Sequence, residues 1–150
     1  MVAYATTAGR RYKNMIEHGI SAGMSITYEK EILERDTLGD YGSEALDFLL
    51  STPSMVAILL SASSKLLNPL VPKGSITVGS SVELYHEKPT LLGEKIRMTV
   101  TVTEVAGDRI MLDFVASDKS GVVAKGKHVR FVVVGEEVVS AAYKRLGIEQ

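Results

Sequence analysis

Apolar and polar residues alternate along much of the second half of the chain, and the phase of that alternation outlines a sheet. Residues 76–86, "ITVGSSVELYH", read as a strand with Ile76, Val78, Ser80, Val82, Leu84 and His86 on one side. In "EKIRMTVTVTEV", Ile96, Met98, Val100 and Val102 face one way and Arg97, Thr99, Thr101 and Thr103 the other, until Glu104-Val105 breaks phase as a bulge would. A short turn, "AGD", leads into "RIMLDFVAS", with Ile110, Leu112, Phe114 and Ala116 in phase. A second turn, "DKSG", leads into "VVAKGKHVRFVVV". These segments predict a long antiparallel meander. Upstream, "MSITYEKEILE" reads as a first strand, "RDTLGDYGSE" as a loop, and "ALDFLLS" as either a short strand or a helical turn. Downstream, "EEVVSAAYKRLG" reads as a helix, acidic at its start, basic in its last turn and closed by Gly147.

One segment obeys neither period cleanly. From Pro53 to Ser64 there is no charged side chain. Ser51 and Thr52 are N-cap residue types and Pro53 suits a first helical position, so a helix is predicted from Pro53 to Leu67. Met55, Leu59, Ala62 and Leu66 form one face, and Val56, Leu60, Ser63 and Leu67 the next. At ~1.5 Å per residue the helix spans roughly 22 Å, short of a ~30 Å hydrocarbon core, and Asn68-Pro69 stops it. A helix so apolar, and too short to span a bilayer, must be buried in protein on most sides, which a sheet curled around it would achieve.

Composition narrows the function. The 150 residues suit about one domain, with an expected N-terminal extension over 1–20, a core domain over 21–135 and a C-terminal helical segment over 136–150. A net charge of −1, with no basic cluster longer than Arg10-Arg11-Tyr12-Lys13, gives nucleic-acid binding no electrostatic support. The chain has no cysteine, which rules out disulfides and thiol nucleophiles and fits a cytoplasmic protein. His18, His86 and His128 lack metal-ligand spacing, so no metal site is expected. No phosphate-binding glycine loop and no G-x-S-x-G elbow is present.

The order strand, buried helix, antiparallel meander resembles the hot-dog fold: α+β, with a curved antiparallel sheet wrapped around a central helix. An open α+β sandwich with the helix on one face is the alternative use of the same elements. "LSTPSMVAILL" resembles the segment of the fluoroacetyl-CoA thioesterase family in which a Thr opens the central helix, here Thr52. "SITVGSSVELYHEKPTLLGEKI" resembles that family's strand with a Gly and, seven residues on, a His, here Gly79 and His86. "AKGKHVRFVVV" resembles its last strand, where an Arg follows a His by two residues, here Arg130 and His128. The Asp/His pair of the hydratase branch is missing.

The resemblance implies acyl-CoA thioester hydrolysis, with coenzyme A as part of the substrate and no separate cofactor. It implies Thr52 and His86 as catalytic residues, Gly79 and Arg130 as substrate-binding residues, and a homodimer or tetramer with the ligand across the dimer interface. The family's helical Glu falls at Leu60, which instead offers an apolar wall to the acyl group. Asp47, Glu44, Glu83, Glu87 and a residue of a partner protomer are the candidates to replace it. Each residue also has a purely structural reading: Thr52 as an N-cap, His86 as a packed strand-end residue, Gly79 as relief of crowding, Arg130 in an ion pair. His128 is expected to be structural. Two functions follow, an acyl-CoA thioesterase or a non-catalytic binder of acyl-CoA or another small apolar ligand; a structural dimer module is a weaker third.

Overall fold

A computed structural model describes residues 16–39 and 43–149. Most of the expected 1–20 extension, and the middle of the loop at 35–44, lie outside the described residues. Five strands form one antiparallel sheet: β1 (Ser25–Glu31), β2 (Ser75–His86), β3 (Lys95–Ala106), β4 (Arg109–Asp118) and β5 (Gly121–Val134), in the order β1-β3-β4-β5-β2. Two helices accompany it, α1 (Thr52–Leu67) and α2 (Gly135–Arg145).

The helix α1 contacts β1, β3 and β2. β1 and β2 are the two edges of the sheet. In a flat five-stranded sheet those edges stand about 19 Å apart, wider than the ~10–12 Å diameter of a helix. Both edges reach α1 only because the sheet curls around it. Met55, Ile58, Leu59, Ala62, Ser63 and Leu67 form the buried stripe. The apolar members of that stripe meet Ile96, Met98, Val100 and Val102 of β3 and Ile110, Leu112, Phe114 and Ala116 of β4 in a single core. The other sheet face mixes polar side chains with apolar ones such as Ile76, Tyr85 and Val115, and is cross-linked between strands, as in Thr27–Thr99 at 2.8 Å and Lys127–Asp113 at 3.1 Å.

The helix is less enclosed than its composition suggests. Ala57, Leu60 and Ser61 are exposed, and Val56 and Leu66 are half-buried. One sheet covers one stripe, and the second face is left beside the free edge of β2. Among the described residues no helix is long and apolar enough to cross a membrane.

Three local departures have physical causes. β1 ends at Glu31 rather than Glu34, because the Asp36 carboxylate accepts the Leu33 N–H at 2.8 Å and turns the chain into a 3-10 turn over Glu34–Thr37. "ALDFLLS" combines both of its alternatives: a 3-10 turn over Glu44–Leu46, then an extended piece in which Leu49 bridges Leu91. The bulge in β3 falls at Thr103, one residue before the expected break.

The correction that matters for the site is in β2. The register with β5 runs Gly79↔Arg130 and then Ser81↔Val129, so Ser80 is an extra residue. A bulge of this kind reverses the alternation. Ile76, Val78 and Ser80 therefore do not share a face with His86. Thr77 and Gly79 do, together with Val82 and Leu84, and that face looks at α1.

Candidate active site

The N-cap of α1 is Ser51, not Thr52. Its Oγ accepts the Ser54 N–H at 3.2 Å, and its backbone carbonyl takes the Met55 N–H at 2.9 Å. Pro53 has no N–H. That leaves the N–H of Thr52 as the one first-turn donor that no described group takes, at the positive end of the helix dipole. Because Ser51 caps the helix, the Thr52 side chain is released for another bond. Its Oγ1 lies 2.8 Å from Nδ1 of His86, the last residue of β2. With Nδ1 unprotonated, the hydroxyl donates to it, the geometry of a nucleophile beside its base.

A second cluster lies further along the same surface. A Cβ built on Gly79 would stand 3.2 Å from His128 Cε1, 3.5 Å from Leu60 Cδ2 and 3.8 Å from Arg130 Nη1. Glycine thus leaves a shallow recess, too tight for a Cβ unless its neighbours give way, walled by one apolar group, one imidazole and one guanidinium. Arg130 is buried, 4% exposed. Nε donates to Thr77 Oγ1 at 3.0 Å, and Nη2 donates to Thr77 O at 2.7 Å and Ser64 Oγ at 3.1 Å. Nη1 lies 3.2 Å from His128 Nε2. Thr77 is held in turn, its N–H and hydroxyl both donating to Asn68 Oδ1. No described carboxylate pairs with Arg130; the expected ion pair is replaced by neutral acceptors. Burial lowers its pKa to about 10, so it stays cationic at neutral pH. Holding a cation this way is costly unless something else supplies negative charge or potential.

His128 is the neighbour that sequence reasoning set aside as structural. Nδ1–H donates to Ser81 O at 2.8 Å, so Nε2 is the acceptor that receives Arg130. Burial, only partly opposed by the Ser81 hydrogen bond and reinforced by the charge of Arg130, pushes its pKa down to about 4. Both ring nitrogens are used and the ring is neutral.

The two clusters are apart within one chain. Thr52 and Leu60 are separated by eight helical residues, about 12 Å, and Gly79 and His86 by roughly 20 Å of strand. Glu83 and Glu87 do not stand in for the missing helical acid. Glu83 accepts the Tyr85 hydroxyl and Glu87 lies 3.7 Å from Lys125, on the far face of the sheet. Glu44 and Asp47 are exposed. Among the described residues no group of His, Asp or Glu is arranged to hold a metal ion.

A family model described as fluoroacetyl-CoA-specific thioesterase (FlK) matches residues 32–136. The chain belongs to this family. A hot-dog-like protein from Thermanaerovibrio acidaminovorans aligns with a TM-score of 0.79 and 28% identity, over 84% of this chain and 93% of that one. A point mutant of FlK aligns with a TM-score of 0.77 and 21% identity, over 86% and 98%. A Thermus thermophilus thioesterase superfamily member gives 0.75 and 22%, over 86% and 94%. No curated protein sequence matches significantly. The architecture is the hot-dog fold, and the open sandwich is excluded.

Leu60, where the resemblance leads one to expect an acid, stands 36% exposed, its Cδ2 3.5 Å from a Cβ built on Gly79. Sequence reasoning missed Ser64 and Thr77, which hold Arg130, and Asn68, which holds Thr77. The signal for Thr77 was present. "GSS" inside a strand marks a bulge site, and a bulge there turns Thr77 inward.

Proposed function

We propose that the protein is an acyl-CoA thioesterase whose site is shared by two copies of the chain. The observation that carries this reading is the 2.8 Å hydrogen bond between Thr52 and His86 at the start of α1. In this mechanism His86 takes the Thr52 proton as Oγ1 attacks the thioester carbon. The carbonyl electron pair moves to oxygen, beside the Thr52 N–H and the helix terminus. Collapse breaks the C–S bond, and His86 returns the proton to the departing thiolate. Water, deprotonated by the same imidazole, then releases the acid and restores Thr52.

The bulge supports the dimer. Among the described residues β2 is an edge strand, paired with β5 alone. Two copies of β2, antiparallel about Glu83, set Leu84 opposite Val82. With Ser80 and Ser81 together facing Tyr85, as they face one residue of β5, such a pairing would bring His86 of one copy opposite Gly79 of the other, on the same face. Cross-strand neighbours are ~5 Å apart, so the recess of one copy adjoins the Thr52–His86 pair of the other. The exposed Leu60 and Val82, 36% and 38%, lie beside that edge and would be covered.

A panel of acyl-CoAs, followed by release of free thiol, tests the activity, and mixing two variants tests the sharing. Homodimers of Thr52→Ala and of Arg130→Met are each expected to be nearly inactive. After joint refolding, about half the dimers are mixed and each carries one intact site, so activity returns to about one quarter of wild type. No recovery would mean that each site is built within one chain.

Leu60 favours a second reading, a binder of acyl-CoA that has lost its chemistry, since removing one member of a catalytic group costs orders of magnitude. Saturable CoA binding without thiol release would establish it. Leu60→Glu tests the position directly. Because Leu60 is partly exposed and shares a recess with the cation Arg130, the variant is expected to fold with a melting temperature near wild type and to hydrolyse acyl-CoA about 10- to 100-fold faster. Unchanged turnover in a folded variant would show that Leu60 does not limit the chemistry.

A further inference from the structure

Arg130 is held by four hydrogen bonds, and three of them come from groups that would stabilise any buried guanidinium: Thr77 Oγ1, Thr77 O and Ser64 Oγ. The fourth has a different character. A guanidinium has five N–H donors, and Nη1 carries two of them. His128 Nε2 takes one, and no described acceptor takes the other. The same imidazole borders the Gly79 recess through Cε1. His128 therefore contacts Arg130 Nη1 and, like Nη1, borders the backbone at Gly79.

We infer that His128 is a positioning residue: by accepting one Nη1 N–H of Arg130, it turns the guanidinium so that the remaining Nη1 N–H serves the recess beside Gly79. The inference rests on the acyl-CoA reading and adds to it the group that orients the Arg. A carboxylate in place of His128 would accept the same N–H but also neutralise Arg130 and weaken its pull on an electron-rich substrate atom. The neutral imidazole fixes direction and leaves the charge intact. Its tautomer is set from the far side, where Ser81 O, in the β2 bulge, takes Nδ1–H and leaves Nε2 as an acceptor. The bulge thus orients Arg130 through His128 as well as turning Gly79 inward. The depressed pKa of His128 keeps this acceptor available throughout the neutral range.

The experiment uses two variants of the full chain. His128→Phe keeps a flat ring but has no acceptor. His128→Gln places an amide oxygen near the position of Nε2. If His128 positions Arg130, KM for the best acyl-CoA rises about tenfold in His128→Phe while kcat changes less than about twofold, because the lost contact is made equally in ground and transition states. His128→Gln stays within about threefold of wild type. Long-range proton–nitrogen NMR of the wild type is expected to find the neutral Nδ1–H tautomer from pH 6 to 8. Wild-type KM in both variants, or a proton on Nε2, overturns the inference. If His128→Phe fails to fold, the tautomer still decides: a proton on Nε2 overturns the inference and an unprotonated Nε2 supports it. A wild-type protein that neither binds nor cleaves acyl-CoA overturns the functional reading itself. A working wild type with an indifferent His128→Phe overturns only this step.

Discussion

Thr52→Ala is expected to lower kcat for acyl-CoA hydrolysis by about a thousandfold, with little change in melting temperature. The first half follows from its bond to His86 at 2.8 Å: alanine removes the attacking oxygen together with the proton that the imidazole would take from it. The second half follows from the division of labour at the helix start. The capping bond belongs to Ser51, so losing the Thr52 hydroxyl leaves α1 capped. Ser51→Ala should behave oppositely, costing about 1 kcal/mol of stability while keeping the Thr52 hydroxyl. Thr52→Ser retains the hydroxyl and should keep measurable turnover. Thiol-release kinetics with thermal melts of all three variants check the argument. If Thr52→Ala keeps wild-type kcat, water rather than Thr52 is the nucleophile.

The alternation in "EKIRMTVTVTEV" and "RIMLDFVAS" was enough to assign core faces for β3 and β4, because period-two patterning reports burial directly where no residue is inserted. It failed in β2, where Ser80 adds one residue and the pattern has too few large apolar side chains to reveal the change of phase. The proximity of Thr52 and His86 follows from elements already recognisable in the sequence, a helix start and a strand end. The setting of Arg130 was not legible. It depends on Ser64, Thr77 and Asn68, three small polar residues on three different elements, whose convergence is a product of the bulge and the curl of the sheet. The free face of α1 was misjudged for a related reason. Composition says how apolar a helix is, but not how much of it the sheet covers, and Leu60 and Val82 stay 36% and 38% exposed.

The His128–Arg130 pair also makes the fold sensitive to acid in a defined window. His128 is 1% exposed and its folded-state pKa is pushed down to about 4 from a usual value near 6.5. Between those values the unfolded chain binds a proton that the native state refuses, so stability rises with pH and is lost as pH falls from about 6.5 toward 4. At ~1.4 kcal/mol per pH unit, the loss amounts to about 3 kcal/mol. The physical conflict is plain. A protonated His128 presents N–H to an Arg130 that also presents N–H, and two cations then share a buried site with no described carboxylate between them. Asp36 acts in a different window. Burial alone would raise its pKa, but the Lys30 hydrogen bond, the Leu33 N–H and the charges of Lys30 and Arg35 outweigh that and lower it, so its stabilising contribution disappears only below pH 4. Denaturant melts of wild type and His128→Gln at half-unit steps from pH 4 to 7 separate the two. The wild type should lose about 3 kcal/mol across that range, and the variant should lose little. Parallel slopes in both proteins would assign the acid sensitivity to carboxylates and remove His128 from the account.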